Sequence, residues 1–311
     1  MKARIFLVYM LLIVSVSACK IKFVDMNVKN ARLLETKKMR FCYISFVQVG
    51  DIVYLVKQKH VPRKILGVVR DAITAYVAES FNIAHEVDVI PADQQFPGKV
   101  IEELPATIHT VAPGQTIKAQ DSPYSKMNIK QAEIGFRRDM LDWMVTHPQL
   151  IKVVALDTFL CNHDRHRGNL FYDPKTKTFC AIDMDSAFKY NLAALACKNF
   201  TKMAKKGLFP LTNRELRALI EYRNALEFLV DKHHPEDTIA VFNDFIKKAG
   251  FVEGSSLYTE RIALELDLNR AMMKESYQDI KELIKILNGI IKKEVQSRKS
   301  HMQSRLRLLN D

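Results

Sequence analysis

The sequence predicts an α+β fold in two lobes, a small β-rich N-terminal lobe followed by a larger, mainly helical one. Three observations lead there. Residues 40–90 read as strand, strand, helix, strand; the chain after Phe188 reads as helix to its end; and 311 residues exceed the roughly 250–300 at which a single core stops growing. The composition, 48% hydrophobic and 26% charged with no Pro/Gly/Ser-rich stretch, belongs to a globular chain and argues against long disorder.

Residues 1–19 are expected to form a leader. Lys2 and Arg4 precede an uncharged run of 14 residues from Ile5 to Ala18, and Val16-Ser17-Ala18-Cys19 follows small-residue cleavage logic. A spanning helix needs about 20 residues, so a signal peptide fits better than a membrane span. The same four residues resemble a bacterial lipobox, in which Cys19 is lipidated after cleavage. The competing reading is a buried first strand or helix. The expected location is exported, as an anchored lipoprotein or a secreted protein that includes delivery into a host cell, and cytoplasmic if the leader stays unprocessed. The remaining cysteines, Cys42, Cys161, Cys180 and Cys197, sit in apolar stretches without ligand or disulfide spacing and read as free thiols.

The N-terminal lobe is expected over residues 20–105. Residues 40–59 are rich in β-branched and aromatic side chains and broken by Gly50-Asp51, which predicts a hairpin. Val69, Ile73, Tyr76, Val77 and Phe81 recur at helical spacing over 68–81, and 87–90 read as a strand. Pro105, Pro113, Gly114 and Pro123 surround a short β-like piece at 107–111, so residues 106–127 are expected to be a connector or insertion.

The helical lobe is expected over 128–311. It opens with a helix at 128–147 that holds the sole tryptophan, Trp143, and a largely apolar, hence buried, helix at 148–161. Thr212 and Glu215 form a capping box for a later helix, and Pro235-Glu236-Asp237 begins another. A long helix over 276–298 carries one apolar stripe and ends among Lys292, Lys293, Arg298 and Lys299. That end reads as a solvated basic face or as a surface for a membrane or partner.

A formal charge of +12 favours anionic partners without choosing among them. No zinc-spaced Cys/His set, RNA-binding aromatic signature or basic zipper occurs, so no nucleic-acid partner is expected.

The chemistry lies at 162–185. The buried helix leads into Asn162-His163-Asp164-Arg165-His166-Arg167-Gly168-Asn169, then a strand pair whose second strand ends in Asp183-Met184-Asp185. Phosphoryl transfer needs a carboxylate to orient the attacking hydroxyl, a neutral oxygen ligand nearby, and a second carboxylate on the metal that bridges the phosphates. Asp164, Asn169 and Asp183 supply those types, with Asp183 19 residues after Asp164. Asp185 reads equally as a further metal ligand or a helix cap. The alternative is structural: Asp164 and Arg165 as a salt-bridged cap, and Asp183 as a turn residue.

Asp-Arg-His-x-x-Asn at 164–169 followed by Ile182-Asp183 resembles the phosphoinositide 3/4-kinase-like superfamily, which includes lipid kinases, HipA-type bacterial protein kinases and secretory-pathway kinases. The resemblance spans about residues 54–188. It implies a bilobal protein-kinase-like fold with ATP and Mg²⁺, or Mn²⁺ in its place, held between the lobes. It implies that Asp164 orients the acceptor, that His166 braces the loop and that Asn169 and Asp183 hold metal. In that family a strand lysine contacts the phosphates and pairs with an acid on the next helix. Lys57 matches the lysine, with Lys59 at the same strand parity, and Asp71 matches the acid, with Glu79 as the alternative. One departure stands out: residues 27–40, expected to cover the phosphates, contain no glycine. A protein hydroxyl is the expected acceptor; a lipid headgroup, and a pseudokinase adaptor without catalysis, are the alternatives. His109 and the pair His233-His234 are expected to lie away from the site.

Overall fold

The computed structural model describes residues 26, 30–61, 64–83, 86–118, 141, 144–205 and 210–308. The expected leader and most of the helix expected at 128–147, including Trp143, lie outside the described residues. The chain forms two compact units that do not follow sequence order. The first comprises Met1–Met127, Arg167–Asp185 and Ala240–Leu266, the second Asn128–His166, Ser186–Ile239 and Asp267–Asp311.

The first unit is built on a five-stranded antiparallel sheet of β1 (Ala31–Lys38), β2 (Cys42–Val49), β3 (Ile52–Lys59), β4 (Val87–Ile90) and β5 (Ala106–Thr110), in the order β1-β2-β3-β5-β4. The hairpin expected at 40–59 is β2–β3, and Gly50 makes its turn with φ +59°. The connector expected at 106–127 needs correction, because its first residues are strand β5, paired with both β3 and β4. Thr107, Ile108 and His109 are buried there, so the β-branched character of the segment reflects a central strand.

Strand alternation gives the sheet two different faces. Val47, Val56, Ile90, Phe96, Ala106 and Ile108 form an apolar cluster on one. The loop at 94–104 is fixed to this face by Gln58, whose amide donates to the carbonyls of Ile101 and Leu104 and accepts from the amides of Val100 and Ile101. Gly98, at φ +89°, approaches so closely that a Cβ would stand 2.7 Å from that of Ser45. The other face carries Lys57 and Lys59, and helix α1 (Gly67–Glu79) supplies a counter-charge to Lys57. A second, three-stranded sheet joins β6 (Gln115–Thr116), β7 (Leu170–Asp173) and β8 (Thr178–Ala181) in sequence order.

In the second unit, helix α2 (Ile151–Phe159) is buried over most of its surface, as its apolar sequence requires. Beside it lie α3 (Leu192–Lys205) and α4 (Asn213–Lys232), where the hydroxyls of Thr158 and Tyr222 meet at 2.9 Å and Phe200 stacks on Tyr222. Thr212 and Glu215 close the expected capping box on α4. Helix α5 (Pro235–Lys248) begins as expected, but the last helix, α6, runs 49 residues from Glu260 to Leu308 instead of 276–298. No proline interrupts that stretch and Gly289 is its only glycine, so nothing local stops the helix. No helix among the described residues is long and apolar enough to cross a membrane. Cys42, Cys161 and Cys180 are buried free thiols, and Cys197 is partly exposed.

Candidate functional site

The first unit gathers five charged side chains on one face of its sheet. Lys57 and Lys59 are two apart on β3, so alternation points them the same way, and both are buried. Asp71 reaches Lys57 from the first turns of α1, Nζ to Oδ2 at 2.7 Å. Asp183 and Asp185 arrive from the end of β8: Lys57 donates to Asp183, Lys59 donates to Asp185, and Lys57 stands 3.6 Å from Asp185. The chain turns at Asp183 through a left-handed φ of +54°, a conformation unusual for a side-chain-bearing residue. Gly67 lets α1 start close by, since a Cβ there would lie 3.1 Å from Lys59 Cε and from Asp185 Cβ.

Exposure divides these groups. Asp71 and Lys57 are almost closed to solvent, with side chains 3% and 8% exposed, whereas Asp183 keeps 46% of its side chain open. Burial pushes against the charge on Lys57, but Asp183, Asp71 and Asp185 together outweigh it and hold the ammonium well above its usual range. For Asp71, burial raises the carboxyl to about 6 against the pull of Lys57, with Asp185 and Asp183 adding to the rise. Lys57 draws Asp183 below its ordinary value in spite of burial and Asp185.

The donor set suits a hard divalent cation. Asp71, Asp183 and Asp185 offer carboxylate oxygens within 4.8 Å of one another, and Mg²⁺ and Mn²⁺ favour such oxygens. Three carboxylates against two ammonium groups leave one net negative charge, so a cation would meet attraction here. Asn169 is buried at the neighbouring strand end. Its carbonyl accepts from the Ile182 amide at 3.1 Å, one step beyond the Leu170–Ala181 pair, which sets residue 169 beside the turn at Asp183. Asp71, Thr74, Ala75, Val87, Ala181, Asp183 and Met184 line a small pocket at the same place.

Several sequence expectations resolve on this geometry. Lys57 meets Asp71, and Lys59 donates to Asp185, an acid that Lys57 also approaches. Glu79 is exposed, eight residues further along α1, and the ion pair forms at Asp71. His109 is not remote from this face: it pairs in register with Leu55 and its Nε2 lies 2.6 Å from the hydroxyl of Thr107, the partner of Lys57. Its position on β5 was hidden because β5 itself read as part of a connector.

Asp164 and His166 belong to the second unit and are half-buried. The loop that carries them is anchored through Arg165, which grips Asp157 of α2 with two bonds of 2.8 Å while Asn162 donates to the same carboxylate at 2.9 Å. Arg165 is thus salt-bridged, as the structural alternative expected, and Asp157 of α2 is an acid it meets. His163 faces the Ser186 carbonyl at 3.1 Å and the edge of Tyr190 at 4.5 Å. Asp157 was missed because a lone acid in an apolar helix carries no motif; its helix being buried was the available signal. His233 is buried, with burial pushing its imidazole down to about 4.

No protein-family model and no curated protein matches the sequence. Among solved structures, the chain is similar to the proinflammatory kinase CtkA of Helicobacter pylori, at 12% identity and a TM-score of 0.49, over 83% of this chain and 96% of that one. It is also similar to an ethanolamine kinase of Plasmodium vivax, at 10% identity and a TM-score of 0.30, over 80% of this chain and 83% of that one.

Proposed function

We propose that this protein is an ATP- and Mg²⁺-dependent phosphotransferase of the phosphoinositide 3/4-kinase-like type, acting on a protein hydroxyl. One observation carries the reading: a buried lysine on the third strand of an antiparallel sheet is held between an acid from the following helix and an acid at the end of a distant strand. Such an arrangement keeps an ammonium charged and aimed while a carboxylate stays available to solvent and metal. A structural ion pair needs no third carboxylate, and the surplus acid is costly unless a cation is to be received.

In this reading Asp183 and Asn169 hold the metal, Asp185 supports it, and Lys57 steadies the nucleotide phosphates while Asp71 fixes its direction. The metal supplies charge neutralisation to the phosphates when bound. Lys57, which donates to both Asp183 and Asp71, would meet the phosphates with its ammonium held in place by Asp71, and the partly open Asp183 carboxylate would be available to the cation. Asp164 accepts the hydrogen bond of the acceptor hydroxyl, a role that rests on its five-residue spacing from Asn169. His166 braces the loop.

The test is transfer of γ-³²P from ATP with Mg²⁺, offered protein mixtures and phosphoinositide vesicles in parallel. The reading predicts label on protein with the wild type and none with Asp183→Ala, at unchanged circular dichroism. Label on lipid would move the acceptor to a headgroup. Retained transfer in the variant would end the metal role of Asp183. The glycine-free β1–β2 segment favours a second reading, a nucleotide-binding adaptor, whose signature is metal-dependent nucleotide binding without turnover.

A further inference from the structure

We propose that Lys37, at the end of β1, is a side-chain grip for nucleotide phosphates that replaces the backbone amides of a glycine-rich turn; this rests on the phosphotransferase reading above. Lys37 pairs in register with Ile44 of β2, and Ile44 pairs with Lys57 of β3. Cross-strand partners share a face, and strands lie about 4.8 Å apart, so the two lysine backbones stand roughly 10 Å apart on one face. Side-chain contacts agree with that parity. Lys37 Nζ sits 5.7 Å from the centre of the Phe46 ring on the same face, while the neighbouring Thr36 bonds Ser45 at 2.9 Å on the opposite one.

The two lysines differ in what they are free to do. Lys57 is enclosed by acids, whereas the side chain of Lys37 is 55% exposed and its ion-pair partner, Glu35 at 3.3 Å, is 43% exposed. An exposed pair of this kind contributes little and is readily exchanged for a stronger anion. Between the lysines lie Ile44, Phe46 and Leu55, all half-buried, an apolar floor on which a flat ring can rest.

Phosphate held by backbone amides requires successive N–H groups turned to one side, which takes left-handed residues, usually glycine. Among the described residues from 30 to 49 no φ is positive, and the turn at 39–41 is Met-Arg-Phe. Charge on side chains must then do what amides cannot, and Lys37 is the cation whose register places it across from Lys57. The plain alternative is a lysine that guards an edge strand against strand addition, which would leave nucleotide binding untouched.

Calorimetric titration of the full chain with ATP, ADP and adenosine separates these. Lys37→Met should weaken ATP about five- to tenfold and leave adenosine unchanged. Lys37→Arg should keep ATP within about twofold, and Glu35→Gln should tighten it slightly, because the competing carboxylate is gone. Equal losses for ATP and adenosine, or no loss with Lys37→Met, would overturn the assignment. If the wild type binds ATP and Lys37→Met binds it equally, only the Lys37 role fails. If the wild type binds no nucleotide with Mg²⁺, the phosphotransferase reading fails and this inference falls with it.

Discussion

Two buried ion clusters, one in each unit, use the same kinds of side chain to opposite ends. In the second unit Arg165 meets Asp157 with both arms of its fork, and Asn162 takes part of the same carboxylate, so that this anion is satisfied by cation and amide together. In the first unit three carboxylates share two lysines, one carboxylate is half open to solvent, and its backbone is held in a left-handed turn. A matched pair that water cannot reach holds a loop to a helix. An unbalanced one that water can reach is arranged to exchange partners. Burial of charge alone does not identify a functional site; imbalance and access together do.

The contrast can be broken at its closed end first. Removing Arg165 leaves Asp157 charged and buried, so Arg165→Ala should cost about 3–5 kcal/mol in denaturant unfolding. A loss below about 1 kcal/mol would mean that the pair is not the anchor described here. At the open end the size of the stability effect should differ. Asp183→Asn gives up the ion pair with Lys57, but Asp71 still satisfies that lysine, so the thermal midpoint should fall much less than with Arg165→Ala while transfer falls on the order of a hundredfold or more. A variant that unfolds as easily as Arg165→Ala would make both clusters structural.

A third, smaller effect concerns what holds α1 in place. Arg70, buried beside Asp71 in sequence, pairs with Glu265 near the start of α6 at 2.5 Å. Glu265→Ala should lower stability by about 1–3 kcal/mol, and combining it with Arg70→Met should cost less than the sum of the two, by a double-mutant cycle. Strict additivity would remove the coupling.

A further effect is in pH. In the folded chain Asp71 binds its proton more tightly than in the unfolded chain, with the carboxyl raised to about 6 from 3.8. Between those values the native state carries more protons, so this group's contribution falls as pH rises through the window. Asp183, drawn down by Lys57, works the other way and loses its contribution as pH falls below its unfolded value. In chelator-treated solution, the stability of the wild type relative to Asp71→Asn should decline from pH 4 to pH 6; a flat difference would contradict the raised carboxyl.

Much of this site was legible because its parts lie on elements with strong periodic signals. Lys57 and Lys59 sit on a strand dense in β-branched residues, Asp71 on a helix with a full apolar face, and Asp183 at the end of a short, apolar strand. The elements that escaped had weak or misleading signals. Strand β1 is exposed almost throughout, so Arg32-Leu33-Leu34-Glu35-Thr36-Lys37-Lys38 shows no buried alternation, and its place is set by pairing with β2. Strand β5 follows Pro105 and shortly precedes Pro113, and only its long-range pairing with β3 and β4 reveals a central strand. Lys59 and Asp185 belong together through a separation of 126 residues that no local pattern records.

The central claim is that the acids around Lys57 receive a divalent cation together with a nucleotide. Electron paramagnetic resonance of Mn²⁺ titrated into the full chain with ATP tests it directly, with Asp183→Asn compared against Asp51→Asn at the exposed β2–β3 turn. The account predicts that the wild type and Asp51→Asn bind one ATP-dependent Mn²⁺ per chain and that Asp183→Asn loses it. Binding by Asp183→Asn equal to that of the wild type would contradict the account.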